Sequence, residues 1–222
     1  MLYALDANNA KTRPLPGSKA VCPGCGGSVV PKCGKVKIWH WAHRNQSCDW
    51  CAGETDWHRQ WKLQFPPNCV EVRIGDHRAD AVDPQGRVWE FQSKTLSLEE
   101  IQKREATYSK LVWVWKAEGV HERLELQHTE SKTIKLAGVL FDDAKHQTLI
   151  WQRPRERIGF CQKTVLLDFG EESDLLFLIS KSGWGWSADR LAPEIPVSGG
   201  RYLLQGYLLQ RSLLIQRVLE FD

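Results

Sequence analysis

A chain of 222 residues with 42% hydrophobic and 26% charged residues has room for one large domain, or for a small module beside a medium one, and enough apolar material for a packed core. No apolar run approaches the roughly 20 residues of a membrane span, and the opening MLYALDANNAKTRP lacks the apolar stretch of a signal peptide. A cytoplasmic protein without a membrane partner is expected, and a net charge of +3 fits a polyanionic partner without arguing for one.

In chain order, Leu2–Leu5 reads as a short strand followed by a polar loop. Residues 21–52 are rich in Cys, Gly, His and Trp, and are too small and polar to make an apolar core alone. Five of the seven cysteines fall between residues 22 and 51. Without a signal peptide, that clustering points to a metal rather than to disulfides. Cys22-Pro-Gly-Cys25-Gly-Gly has the form of a zinc knuckle, and His40-Trp-Ala-His43 follows with fourteen residues between the pairs. A C-x2-C and H-x2-H set at that gap suits a tetrahedral structural Zn2+ site. Cys33, Cys48 and Cys51 are alternative ligands. If HWAH is a strand, its two histidines point to opposite faces, and His43 with Cys48 becomes the better second pair.

From Glu54 the texture changes. ETDWHRQWKLQF predicts a helix with an apolar stripe of Trp57, Trp61 and Phe65 beside a polar stripe of Glu54, His58 and Lys62, ended by Pro66-Pro67. VEVRI (70–74) predicts a strand. HRADAVDPQGRVWEFQS (77–93) predicts a hairpin whose Pro84-Gln85-Gly86 loop suits a type I turn with a left-handed Gly bulge. Ser97-Leu98-Glu99-Glu100 is a capping box for a helix reaching about Ser109, and LVWVWK (111–116) is a buried-type strand. Apolar runs at 137–141, 148–151, 164–169 and 175–180 suggest further strands. SGWGWSADRLAPEIPVSGG reads as a loop, and Tyr202–Leu219 as an amphipathic helix.

That hairpin turn would set Asp80 opposite Glu90. Ala79, Ala81, Trp89 and Phe91 then share an apolar face, and Asp80, Glu90 and Gln92 share the other. Two directly opposed carboxylates repel each other unless a cation lies between them. Mg2+ takes such oxygen ligands while keeping waters, and can activate one against a phosphodiester. The plainer alternative is a solvated hairpin face.

The series CPGC (22–25), PKCGKVKIWHWAH (31–43), ETDWHRQWK (54–62), HRADAV (77–82), EFQSK (90–94), REATY (104–108) and LVWVW (111–115) resembles the competence protein CoiA-like family over about residues 20–116. The resemblance implies an α/β fold: a restriction-endonuclease-like (PD-(D/E)xK) mixed sheet flanked by helices over 53–117, behind a zinc-ribbon-like module at 1–52. Residues 118–222 would form a C-terminal α+β extension that the resemblance does not cover. It also implies a nuclease acting on DNA with Mg2+ or Mn2+, in which Asp80 and Glu90 are metal ligands, Glu54 a further acid from the leading helix, and Gln92 stands where a lysine is usual. Gln carries no charge to stabilise a developing phosphorane, so Lys94 or Lys62 would have to substitute. Lys62, Lys94 and Arg104 are candidate nucleic-acid contacts, and Arg104 with Tyr108 could instead lock the helix on the sheet. The alternative is a zinc-containing nucleic-acid-binding protein with a degenerate, non-catalytic core.

Overall fold

The computed structural model describes residues 1–44, 48, 50, 53–117, 125–137, 139–152, 158, 160–180 and 201–219; Cys51 and the loop expected over 182–200 lie outside the described residues. The chain forms two compact units, Met1–Gln85 and Gly86–Asp222.

In the first unit, turn residues cut the early segments short, so they pair as a small antiparallel sheet. Its strands are β1 (Ala4–Leu5), β2 (Lys11–Thr12), β3 (Ala20–Val21), β4 (Ser28–Lys32) and β5 (His40–Ala42), in the order β2-β1-β3-β4-β5. Trp41 is fully buried at the centre of a core that includes Met1, Ala4, Ala20, Val29 and Trp50. Its indole N–H donates to the Thr12 carbonyl at 2.9 Å, so the one polar atom of the ring is satisfied. This core is not made by residues 21–52 alone, in keeping with the expectation from their size and polarity. Residues 1–20 contribute the apolar side chains that 21–52 lack.

Helix α1 (Asp56–Lys62) begins at Thr55, where His58 Nδ1 accepts from the Thr55 N–H at 3.3 Å. Its stripe of Trp57, Trp61 and Phe65 is buried as expected. Regular α-helix stops at Lys62, because the next turn tightens: the Gln64 and Phe65 N–H groups reach back only three residues. Strands β6 (Val70–Ile74) and β7 (His77–Val82) follow, antiparallel, with Val70 paired to Ala81 and Ile74 to His77. The two-residue turn between them places Gly75 at φ +58°, a conformation that costs glycine little.

The second unit is built on a mixed sheet. Its strands are β8 (Val88–Gln92), β9 (Leu111–Lys116), β10 (Glu125–Leu136), β11 (Val139–Gln152), β12 (Thr164–Asp168), β13 (Leu175–Ile179) and β14 (Arg201–Gln210), in the order β10-β11-β14-β13-β12-β9-β8. Strands β8, β9 and β12 are parallel, and the other pairs are antiparallel. Helix α2 (Leu98–Thr107) makes the crossover from β8 to β9, which parallel pairing requires. Ser97 caps it as expected, its hydroxyl accepting from the Glu100 N–H at 3.1 Å. Every residue of VWEFQ in β8 and of LVWVW in β9 is buried, the mark of parallel strands covered on both faces.

Two sequence expectations change in this unit. The runs at 137–141 and 148–151 belong to one long strand, β11. The expected helix over 202–219 is strand β14 followed by helix α3 (Arg211–Leu219). Gly206 explains the second change. A Cβ there would stand 2.1 Å from the Leu178 carbonyl oxygen and 2.8 Å from the Phe177 ring. The residue fits where two backbones approach closely in a sheet, whereas in a helix interior it would only weaken the element.

Candidate functional site

In the first unit the knuckle and a strand end gather four donor atoms. Cys22 and Cys25 come from the turn between β3 and β4, His43 lies one residue past β5, and Cys48 follows. Their ligand atoms all lie within 4.8 Å of one another. Cys22 Sγ is 3.7 Å from Cys48 Sγ, Cys25 Sγ is 3.5 Å from His43 Nε2, and His43 Nε2 is 3.2 Å from Cys48 Sγ. Thiolates bound to Zn2+ at about 2.3 Å in a tetrahedron stand about 3.8 Å apart, so a Cys3His site of this size fits the ion. The Gly24 N–H, 3.4 Å from Cys22 Sγ, supplies the backbone donor that steadies a thiolate in a knuckle. Burial by itself raises the Cys48 thiol, but hydrogen bonds from Cys22 and His43 outweigh it and bring the thiol down to about 7.

His40 is not part of this group, which corrects the expected Cys2His2 set. It lies in β5, and its Nδ1 is 2.8 Å from the Ile38 carbonyl. Strand alternation thus removes one histidine of HWAH, and Cys48 takes its place. Cys33 and Cys69 are half-buried and Cys161 is buried; none of the three belongs to the group, and burial pushes the Cys69 and Cys161 thiols up.

A second cluster in the same unit surrounds Lys62. Its ammonium has no exposed surface; it pairs closely with Glu54 and lies 2.9 Å from Asp80 Oδ1 and 3.4 Å from Glu71 Oε1. The last turn of α1 sets the lysine, the segment before α1 sets Glu54, and β6 and β7 set Glu71 and Asp80. Arg78 reaches Glu71 at 3.7 Å and Glu54 at 3.9 Å. Burial opposes the charge on Glu54, but Lys62, the Met1 ammonium at 3.2 Å and Arg78 prevail and hold its carboxyl well below the usual range. For Lys62, burial likewise opposes the charge, and Asp80 and then Glu54 overcome it and raise its pKa. Lys62 as a direct nucleic-acid contact is therefore corrected, since its ammonium is sealed among carboxylates.

Glu71 was not anticipated. It is buried, and its φ of +53° is strained for a non-glycine residue in a strand, a cost of about 1–3 kcal/mol that such positions carry where the surroundings dictate the conformation. Its carboxylate accepts the Leu2 and Tyr3 N–H groups at 3.0 and 3.3 Å. A signal existed: Gly75-Asp76 between two alternating runs marks a two-residue hairpin, and counting back from it sets Glu71 across from Asp80.

In the second unit, Glu90 is fully buried on β8 and is paired closely with Arg104 of α2, whose Nε also meets Glu100 at 2.6 Å. Arg104 thereby ties the helix to the sheet, the second of the two roles expected of it, while its side chain stays partly exposed. Tyr108, one turn on, is buried, and its N–H donates to the Arg104 carbonyl at 2.9 Å at the end of the helix. Gln92 is buried at the end of β8. Lys94 lies past that end in a bend, exposed, so the strand alternation expected to align it with Gln92 has already stopped. Asp83 is buried, its Oδ1 accepting the Gln85 N–H at 3.0 Å, and Gly86 has φ +71°, the left-handed value expected of the turn.

The first unit thus holds a Cys3His group that could bind a metal ion and a buried carboxylate–lysine cluster. Residues 7–50 match a family model described as competence protein CoiA, N-terminal domain. That segment is similar to the family's N-terminal domain, in agreement with the resemblance in the sequence where the two overlap, residues 20–50. No curated protein and no solved structure matches the chain. Among the described residues, no helix is long and apolar enough to cross a membrane.

Proposed function

We propose that this is a competence-related protein that binds zinc in its N-terminal domain and hydrolyses DNA phosphodiesters in a restriction-endonuclease-like core with Mg2+ or Mn2+. The observation that supports catalysis best is Lys62, a fully buried ammonium 2.9 Å from Asp80. A core of this type needs a cation at its acids, and Gln92 cannot provide one. Lys62, arriving from α1, offers such a charge at Asp80. It acts as a positioning residue through Asp80 and Glu54, because it has no exposed surface itself. Asp80 and Glu90 are the proposed metal ligands, Glu54 a further ligand or base, and Gln92 a positioner of water or phosphate. Exposed Lys94 is free to meet the DNA backbone. A divalent ion there would supply water activation and charge neutralisation. A thiol-rich zinc site suits a reducing cytoplasm, where this reading places the protein.

The test is cleavage of single-stranded, duplex and branched DNA with Mg2+ or Mn2+. Wild type should cleave at least one of them. Asp80→Asn and Glu90→Gln should abolish cleavage while leaving DNA affinity similar or higher. One observation favours the second reading, a non-catalytic nucleic-acid-binding protein: Asp80 and Glu90 already face Lys62 and Arg104, so neither depends on a metal for charge balance. Wild type inert on all three substrates with both ions would sink the enzyme and leave that reading.

A further inference from the structure

The whole-chain charge hides a strong local bias. Residues 7–48 contain five lysines, two arginines and no Asp or Glu, so with a total of +3 the rest of the chain is net acidic. Several of these cations gather at one place, the tip of the β4–β5 hairpin. Lys32, Lys35 and Lys37 are exposed there, beside Val36 at 93% and Trp39 at 39% exposure. The Trp39 ring is held in place, since its N–H donates to the Gly34 carbonyl across the mouth of the hairpin at 3.0 Å. An anchored, partly exposed indole flanked by lysines has the parts of a single-strand contact: point charges for phosphates and a flat apolar surface for a base.

We propose that this hairpin tip binds single-stranded nucleic acid, with Lys32, Lys35 and Lys37 on backbone phosphates and Trp39 stacked on an unpaired base. Charge complementarity selects the occupant: three exposed lysines, in a stretch from 7 to 48 that contains no acid, match a polyanion, and a partly exposed ring matches a base out of its duplex. The proposal deepens the nucleic-acid part of the function above and does not depend on its catalytic part. The hairpin stands on β4 and β5, whose flanking turns bear Cys22, Cys25 and His43, so the metal site would brace the hairpin without touching the ligand.

The experiment is fluorescence anisotropy with a labelled oligothymidylate over a salt series, without added Mg2+ or Mn2+, so that nothing is cleaved. A triple Lys32→Ala, Lys35→Ala, Lys37→Ala variant should bind more weakly and lower the slope of log K against log salt by about 2, near 0.7 for each phosphate no longer neutralised. Trp39→Ala should weaken binding roughly 5- to 100-fold with the slope unchanged. Trp39→Phe, which keeps a ring, should recover much of the loss. Since no divalent ion is present, binding is read without cleavage, which separates this site from the catalytic reading. Wild-type affinity and slope in the triple variant would overturn the proposal. So would loss of binding to phosphatidylserine vesicles in the same variants with oligonucleotide binding intact.

Discussion

Lys62 is held as a cation by carboxylates that are themselves held as anions by it, and removing one side leaves the other stranded out of water. Lys62→Met should destabilise the protein by about 3–5 kcal/mol at neutral pH, the cost of leaving buried charge uncompensated. The pH dependence follows from the directions of the shifts. Glu54 is depressed, so its contribution is present above the ordinary Glu value of about 4.3 and is lost as pH falls through its lower folded value. Lys62 is raised, so its contribution is present below about 10.4 and is lost as pH rises through its higher folded value. Both act together between roughly pH 5 and 10. The gap between wild type and Lys62→Met in urea melts should therefore narrow on acidification, as the stranded carboxylates protonate. A gap that widens toward pH 4 would contradict the charge network. At the metal centre the discriminating residues are Cys48 and His40. Purified wild type should carry about one zinc per chain, Cys48→Ser should lose it, and His40→Ala should keep it. Zinc loss on His40→Ala with retention on Cys48→Ser would restore the ligand set expected from spacing.

At the scale of elements, β14 shows how pairing overrides local pattern. Its Leu and Tyr residues suit a helix as well as a strand, but Gly206 fits only the close approach of β13, and hydrogen bonds to both β11 and β13 fix the extended form. Gly206→Ala should cost about 1–3 kcal/mol or more, as overpacking does, because the opposing atom is backbone and cannot swing aside. Thermal melts would check it; an unchanged melting temperature would argue that β14 is not a central strand. The segments legible in the sequence are those where local chemistry and pairing agree. VEVRI, HRADAV and LVWVWK match β6, β7 and β9, and the Ser97 cap opens α2 where expected. The long β10–β11 hairpin was legible only in pieces, because polar residues in β11 interrupt the apolar runs that periodicity detects.

For the whole molecule, two compact units and a candidate zinc site whose four donors all lie in the first predict that stability is not uniform. Chelating the metal should expose amides of residues 1–44 to hydrogen exchange, because the small core around Trp41 is closed in part by Cys22 and Cys48. Amides of β8, β9 and β12 should remain protected. Equal loss of protection in both units would show that the site holds the entire chain rather than one module. Charge is unevenly spread within the first unit, where the acids of residues 49–83 offset the cations of 7–48, which is why the whole-chain value gave no sign of the basic hairpin tip.

By itself the sequence determined what depends on residue type at short range: the knuckle at Cys22 and Cys25, the turn and cap residues, the apolar stripe of α1 and the family likeness where the match overlaps the resemblance, residues 20–50. The acids and the lysine were visible too, as members of stripes and strands. Tertiary structure decided their partners. It replaced His40 by Cys48, because side chains alternate in a strand and a tetrahedral site needs four donors on one side. It brought Glu71 beside Asp80 and buried Lys62 among three carboxylates, and it gave Arg104 to Glu90. Spacing states which residues can meet; only the packed fold sets which charges lose their water, and that loss compels each of them to find a partner.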